Sequence, residues 1–194
     1  KNVKIVLMET THPGNIGATA RAMKTMGLDQ MDLVKPKIYP DADATARASG
    51  ADDILAAARV HQNFPEAISD CHFVFGTSTR SRSIPWPLYT PAKAAEQTWD
   101  LIVEGARVAI VFGRESSGLA NEELELCNAM IQIPTNPEFS SLNIASAVQI
   151  ISYEIRKKML ESEPQLEQES AKTPQASVEQ IQQLYDHLQQ CLTD

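Results

Sequence analysis

Short apolar runs punctuate this chain, and each is followed by a turn and then by residues at helical spacing. The first run, Val3–Met8, reads as a buried parallel strand. A turn at His12-Pro13-Gly14-Asn15 leads to Ile16, Ala20, Met23 and Met26, spaced for a helix that Gly27 closes. Further strands are expected over 31–34, from Val60, and over 71–75, 107–112 and 129–133. Short helices are expected over 41–58 and 64–69. Longer ones fall over 91–103, with Pro91 in the first turn, over 121–126, capped at Asn121, and over 141–160. Residues 76–87 read as a long polar loop. Parallel strands need a crossover between them, usually a helix, so this alternation predicts an α/β fold with a mostly parallel sheet flanked by helices. Ligands of such sheets sit beyond the carboxyl ends of the strands. Four loops therefore matter most: those after 3–8, 71–75, 107–112 and 129–133.

Several function classes are excluded early. No apolar run approaches the ~18 residues of a membrane span, so no membrane partner is expected. The N-terminal run is too short for a signal peptide and ends at Glu9, which predicts a cytoplasmic protein. Cys71, Cys127 and Cys191 form no CxxC pair, and His12, His61, His72 and His187 form no HExxH, so neither a disulfide framework nor a metal site is expected. The net charge of −8 argues against a nucleic-acid partner only until it is placed along the chain. Residues 161–194 hold seven acids against Lys172 alone, which leaves residues 1–160 at −2. A local basic patch on a near-neutral domain can still meet RNA.

The same count suggests the organisation: a domain over 1–160, an acidic linker over 161–176 with Pro164 and Pro174, and an amphipathic helix over 177–194. Val178, Ile181, Leu184, Tyr185, Leu188 and Leu192 make that helix's apolar stripe, which needs a partner on its own domain or on a second subunit.

The first loop, Gly14-Asn15-Ile16-Gly17-Ala18-Thr19-Ala20-Arg21, resembles a dinucleotide fingerprint but has GxxGxxA in place of GxGxxG. Lys35-Pro36-Lys37 stands where a ribose-binding acid belongs, which argues against a nicotinamide-dependent oxidoreductase. A plain strand-to-helix turn remains open, as does an anion site built from the helix start and Arg21. The second loop gathers Thr77, Ser78, Thr79, Arg80 and Arg82, a set suited to phosphate contacts, with Trp86 and Tyr89 as stacking residues or core anchors. In the third, Phe112-Gly113-Arg114-Glu115-Ser116-Ser117-Gly118, a charged pair sits between glycines; a ligand site and a surface pair are both open. The fourth runs from Ile133-Pro134 through Glu138-Phe139 to Ser140-Ser141-Leu142-Asn143, with Ser140 or Ser141 as expected N-cap and Asn143 in the first helical turn.

Taken in order, Asn15-x-Gly17-Ala18-x-x-Arg21, Phe112-Gly113-x-Glu115-x-x-Gly118-Leu119, and Ile133-Pro134 followed by Ser141-Leu142-Asn143-x-Ala145 resemble the three motifs of the SpoU family of the SPOUT superfamily. These are RNA ribose 2′-O-methyltransferases, and the resemblance spans residues 3 to about 160. Residues 77–82, 85–87 and 137–141 are similar to the branch that methylates nucleotide 32 of the tRNA anticodon loop.

The resemblance implies a C-terminal trefoil knot and a homodimer whose sites are completed by the partner. It implies bound S-adenosylmethionine, released as S-adenosylhomocysteine, with no metal required. Thr77, Ser78, Thr79, Gly113, Ile133, Ser140, Ser141 and Leu142 would hold that cofactor. Arg21, Asn15, Glu115, Ser141 and Asn143 would serve catalysis: Arg21 orients the ribose hydroxyl and its phosphate, and Asn15 and Glu115 hold Arg21 and the ribose. Arg21, Arg80, Arg82 and Arg114 would contact tRNA. Family members of this branch carry an extension that assists tRNA binding, of which residues 177–194 would be the start. An rRNA substrate and a non-catalytic RNA-binding protein on the same fold are the alternatives.

Overall fold

The computed structural model describes residues 2–78, 86–162 and 178–193. In chain order the elements are β1 (Val3–Met8), α1 (Pro13–Thr25), β2 (Gln30–Val34), α2 (Ala42–Ala48), α3 (Asp52–Ala57), β3 (Arg59–His61), α4 (Phe64–Ile68), β4 (Phe73–Thr77), β5 (Leu88–Tyr89), α5 (Pro91–Val103), β6 (Val108–Phe112), α6 (Asn121–Leu124), β7 (Ala129–Ile131) and α7 (Ile144–Ser162). A final helix, α8 (Val178–Thr193), lies in a second compact unit, Pro164–Asp194, separate from Lys1–Glu163. No helix among the described residues is long and apolar enough to cross a membrane.

The sheet has seven strands in the order β3-β2-β1-β6-β4-β7-β5, and every pairing is parallel. Helices cover both faces, which explains why β1 and β6 are buried along their whole length rather than alternating. Val3, Ile5 and Leu7 point into the larger core with residues of α1, α2, α5 and α7. Val6 and Met8 point into the smaller one with Phe64 of α4 and Leu124 of α6.

Lys4 lies on that second face, 3% exposed inside an otherwise apolar strand. A buried ammonium must be paired. Its Nζ lies 3.0 Å from Asp32 and 2.6 Å from Asp70, and it donates to the Ala67 carbonyl at 3.0 Å. Arg59 and His61 close the rest of Asp32, and Arg107 closes Asp70. This ion cluster ties the beginnings of β1 and β3 and the segment before β4 together.

Several boundaries differ from the sequence expectations by one to three residues, and four departures have a tertiary reason. Strand β4 sits two residues later than 71–75, because Phe75–Thr77 pair with Ala129–Ile131 and Asn128 Oδ1 accepts the Val74 N–H. The two-residue β5 exists through its pairing with β7. Helix α6 begins one residue after Ala120, not at a capping Asn121; the Glu123 carboxylate accepts the Ala120 N–H at 2.7 Å. Helix α7 begins at Ile144 rather than 141, for a reason that belongs to the site.

Candidate active site

The loops after β4, β6 and β7 meet the start of α1 around one cavity of about 540 Å³. It opens at the carboxyl ends of the strands, where parallel sheets place ligands. Its walls are apolar at Leu119, Leu124, Ile131, Ile133 and Ala147, and its rim carries serine and threonine hydroxyls. The segment that supplies Phe112–Leu119 folds tightly because Gly113 allows it. A Cβ on Gly113 would overlap the backbone of Gly118 and Leu119, and Arg114 and Gly118 pair as an isolated bridge across the turn.

Three sequence segments are joined here by one hydrogen-bond chain. Glu115 accepts the Thr11 backbone N–H at 3.1 Å and Asn15 Nδ2 at 3.0 Å. Asn15 Oδ1 in turn accepts Asn143 Nδ2 at 3.0 Å. Asn143 Oδ1 accepts the Ala145 N–H at 2.9 Å. A carboxylate only accepts, so both amides have a single consistent orientation. Burial would raise the Glu115 carboxyl, but the Asn15 amide and the backbone N–H groups overcome it and hold it below the ordinary value. Asn143 is therefore the N-cap of α7, which corrects the expectation of Ser140 or Ser141. All three residues are competent caps; the Asn15 contact from 128 positions away selects Asn143.

Of the residues expected in the site, Asn15, Thr77, Ser78, Gly113, Arg114, Glu115, Ile133, Ser140, Ser141, Leu142 and Asn143 line the cavity. Thr77 also ties two strands, its hydroxyl donating to the Val111 carbonyl at 2.9 Å. Thr79, Arg80 and Arg82 lie outside the described residues.

Two arginines need correction. Arg114 is not available to RNA phosphate. Nε and both terminal nitrogens bind Glu9 and Glu123 at 2.6 to 3.0 Å, with a further contact to the Gly118 carbonyl. These carboxylates, Glu9 first, drive its pKa further up, and Glu9 is lowered in return. Arg21 is exposed and is not held by Asn15 or Glu115, which bind each other; it does not line the cavity. Gly14 and Gly17 also serve packing rather than a phosphate: they lie in α1, and a Cβ on Gly17 would overlap the Ala44 carbonyl of α2.

Trp86 and Tyr89 are core anchors. Trp86 Nε1 donates to the Cys127 carbonyl at 3.0 Å, and the Tyr89 ring meets Phe75 edge-on at 5.6 Å. The sequence reading does not single out His12, Ser116, Ser117, Thr135 or Ala147, which also line the cavity. His12, Ser116, Ser117 and Thr135 lie in loops and Ala147 in α7, and no sequence pattern marks which of them face inward.

Comparison with known proteins decides the family: residues 2–153 match the SpoU rRNA Methylase family. The chain belongs to the SpoU methylase family. Among SpoU relatives, the tRNA (cytidine/uridine/adenosine-2′-O-)-methyltransferase TrmJ of Pseudomonas aeruginosa (strain UCBPP-PA14) is 46% identical over 199 residues, covering 99% of this chain and 77% of that one. The crystal structure of TrmJ from Z. mobilis ZM4 is similar with a TM-score of 0.76 at 36% identity, covering 98% of this chain and 79% of that chain. A probable methylase family protein from Haemophilus influenzae Rd KW20 gives a TM-score of 0.79 at 42% identity, over 98% of this chain and 78% of that chain. The segments expected from the sequence to be the family's motifs are the ones that the Asn15–Glu115–Asn143 chain brings together.

Proposed function

We propose that this chain methylates a ribose 2′-hydroxyl of tRNA using S-adenosylmethionine, with a cytidine or uridine at position 32 of the anticodon loop as target. The observation that carries it is the convergence of the three motif segments on one cavity at the strand ends. A volume of about 540 Å³ with apolar walls and a hydroxyl rim suits an adenosine carrying an amino-acid arm. The relatives named as tRNA cytidine/uridine 2′-O-methyltransferases, at 44% identity or above over almost the whole chain, support the substrate class.

When bound there, S-adenosylmethionine supplies an electrophilic methyl group on a sulfonium and leaves as S-adenosylhomocysteine. Thr77, Ser78, Gly113, Ile133, Ser140, Ser141 and Leu142, which line the cavity, would hold that cofactor. The Glu115–Asn15–Asn143 chain fixes the loops around the reacting centre. Holding the hydroxyl in line with the methyl group supplies much of the rate. The family's trefoil knot belongs to the same proposal, with the loops over 113–120 and 132–143 forming it.

Arg21 takes the role of orienting the ribose hydroxyl and its phosphate, and we infer that it does so across a homodimer. It lies six residues beyond Asn15 along α1, about 9 Å of helical rise, and outside the cavity lining. Its exposure and its place outside that lining support a reading in which Arg21 serves the cavity of a second copy. The test is incubation with S-adenosylmethionine and unmodified tRNA, followed by nucleoside mass spectrometry. New 2′-O-methylcytidine or 2′-O-methyluridine is expected, Arg21→Ala should bind cofactor yet transfer no methyl, and methylation of rRNA alone would overturn the tRNA assignment. Mixing Arg21→Ala chains with Gly113→Val chains should restore activity in mixed dimers. Activity absent from every mixture would refute the shared site.

A further inference from the structure

A ribose 2′-hydroxyl must give up its proton as its oxygen attacks a methyl group, so the cavity needs a proton acceptor. Among the described residues lining it, the acidic and basic side chains are His12, Arg114 and Glu115. A guanidinium keeps its proton in proteins, and that of Arg114 is filled by Glu9 and Glu123. The Glu115 carboxylate is occupied by Thr11 and Asn15 and held below its ordinary pKa, which makes it a weak base.

His12 remains. It occupies the N-cap of α1, a position that favours serine, threonine, aspartate or asparagine, and its side chain makes no capping bond. Local structure therefore does not account for the imidazole. The backbone is pinned on both sides instead: the His12 carbonyl accepts the Asn15 N–H at 3.0 Å, and the N–H of the preceding Thr11 donates to Glu115 at 3.1 Å. The ring is exposed, lines the cavity, and has no hydrogen-bond or ion-pair partner among the described residues. Imidazole is the side chain best matched to exchanging a proton near neutral pH.

We propose that His12 is the general base of the reaction, a role that rests on the methyltransferase function proposed above. The 2′-oxygen forms its bond to the methyl carbon as the carbon–sulfur bond breaks and that electron pair passes to sulfur. The hydroxyl proton passes to an unprotonated ring nitrogen of His12, and from there to water. Glu115 acts on this step as a positioning residue, through the Thr11 N–H and the Asn15 amide on either side of His12. The division of labour leaves Arg21 to orient the hydroxyl and phosphate without losing a proton of its own.

The test uses His12→Asn, which keeps a good N-cap, and His12→Ala beside it. Cofactor binding is followed by calorimetry and methyl transfer by single-turnover kinetics on tRNA. Both variants should bind S-adenosylmethionine within about twofold of the wild type and transfer the methyl group at least ~10²-fold more slowly. Added imidazole should restore part of the His12→Ala rate. A transfer rate within threefold of wild type overturns the base assignment while leaving the methyltransferase function intact. A tenfold loss of cofactor affinity, or no response to imidazole, overturns it also. A wild-type chain that methylates no RNA overturns both.

Discussion

Arg114 and Arg21 show how little a residue's type says about its task. Both are arginines in motif segments, and phosphate contact was expected of both. Arg114 instead clamps the end of β1 to α6 through Glu9 and Glu123. Glu9 holds a φ of +45°, a left-handed setting that costs about 1–3 kcal/mol outside glycine, and persists where surrounding contacts over-determine it. Replacing Arg114 by Gln should cost about 1–3 kcal/mol, because charge-assisted hydrogen bonds are lost and two carboxylates are left facing each other. Thermal unfolding measures it, and Arg114→Lys should rescue little, since an ammonium cannot fork to two carboxylates. Arg21→Ala should leave the melting temperature unchanged. No sequence pattern separates these two arginines; their partners lie 105 and 9 residues away in one case and are absent among the described residues in the other.

Elements were largely legible from spacing, and their ends were not. Val3–Met8 and Pro91–Val103 have the boundaries their periodicity predicts. Helix α7 starts three residues later than expected, because its cap was chosen by a contact with α1 rather than by propensity. The two-residue β5 had no signal of its own, since a strand that short is stabilised by its neighbour. Glycine spacing in α1 leaves a ligand turn and a plain structural turn both open in the sequence, and Gly17 serves helix contact. Gly17→Ala should therefore cost about 1–3 kcal/mol by overpacking, as the new methyl meets the Ala44 carbonyl of α2. Urea denaturation gives the value, and Ala18→Ser in the same helix is the control, with a change within about 0.5 kcal/mol.

At the scale of the whole molecule, the Lys4–Asp32–Asp70 cluster anchors the sheet at the end opposite the cavity. Burial alone would raise the Asp70 carboxyl, but Lys4 and then Arg107 pull it down to about 2, against an ordinary value of 3.8. The folded state thus holds this proton less tightly than the unfolded chain. Its stabilisation is present above about pH 4 and is lost as pH falls through about 2. Asp70→Asn should lower stability at pH 7 and flatten the loss between about pH 4 and 2, as read by urea unfolding across that range. An acid limb of unchanged slope would show that other carboxylates control it.

The order of short apolar runs and helical segments determined the α/β class and the parallel sheet, because parallel strands can only be joined through crossovers. Motif order along the chain likewise placed Asn15, Glu115 and Asn143 at strand ends, since side-chain periodicity is local and sequence records it. Tertiary structure alone decided that β6 lies between β1 and β4, that Asn143 rather than Ser141 caps α7, and that Arg114 is a clamp while His12 stands free in the cavity. Each of these depends on groups about 10 to 130 residues apart meeting in space. A hydrogen bond or ion pair of that kind is set by distance and direction, and a one-dimensional pattern carries neither.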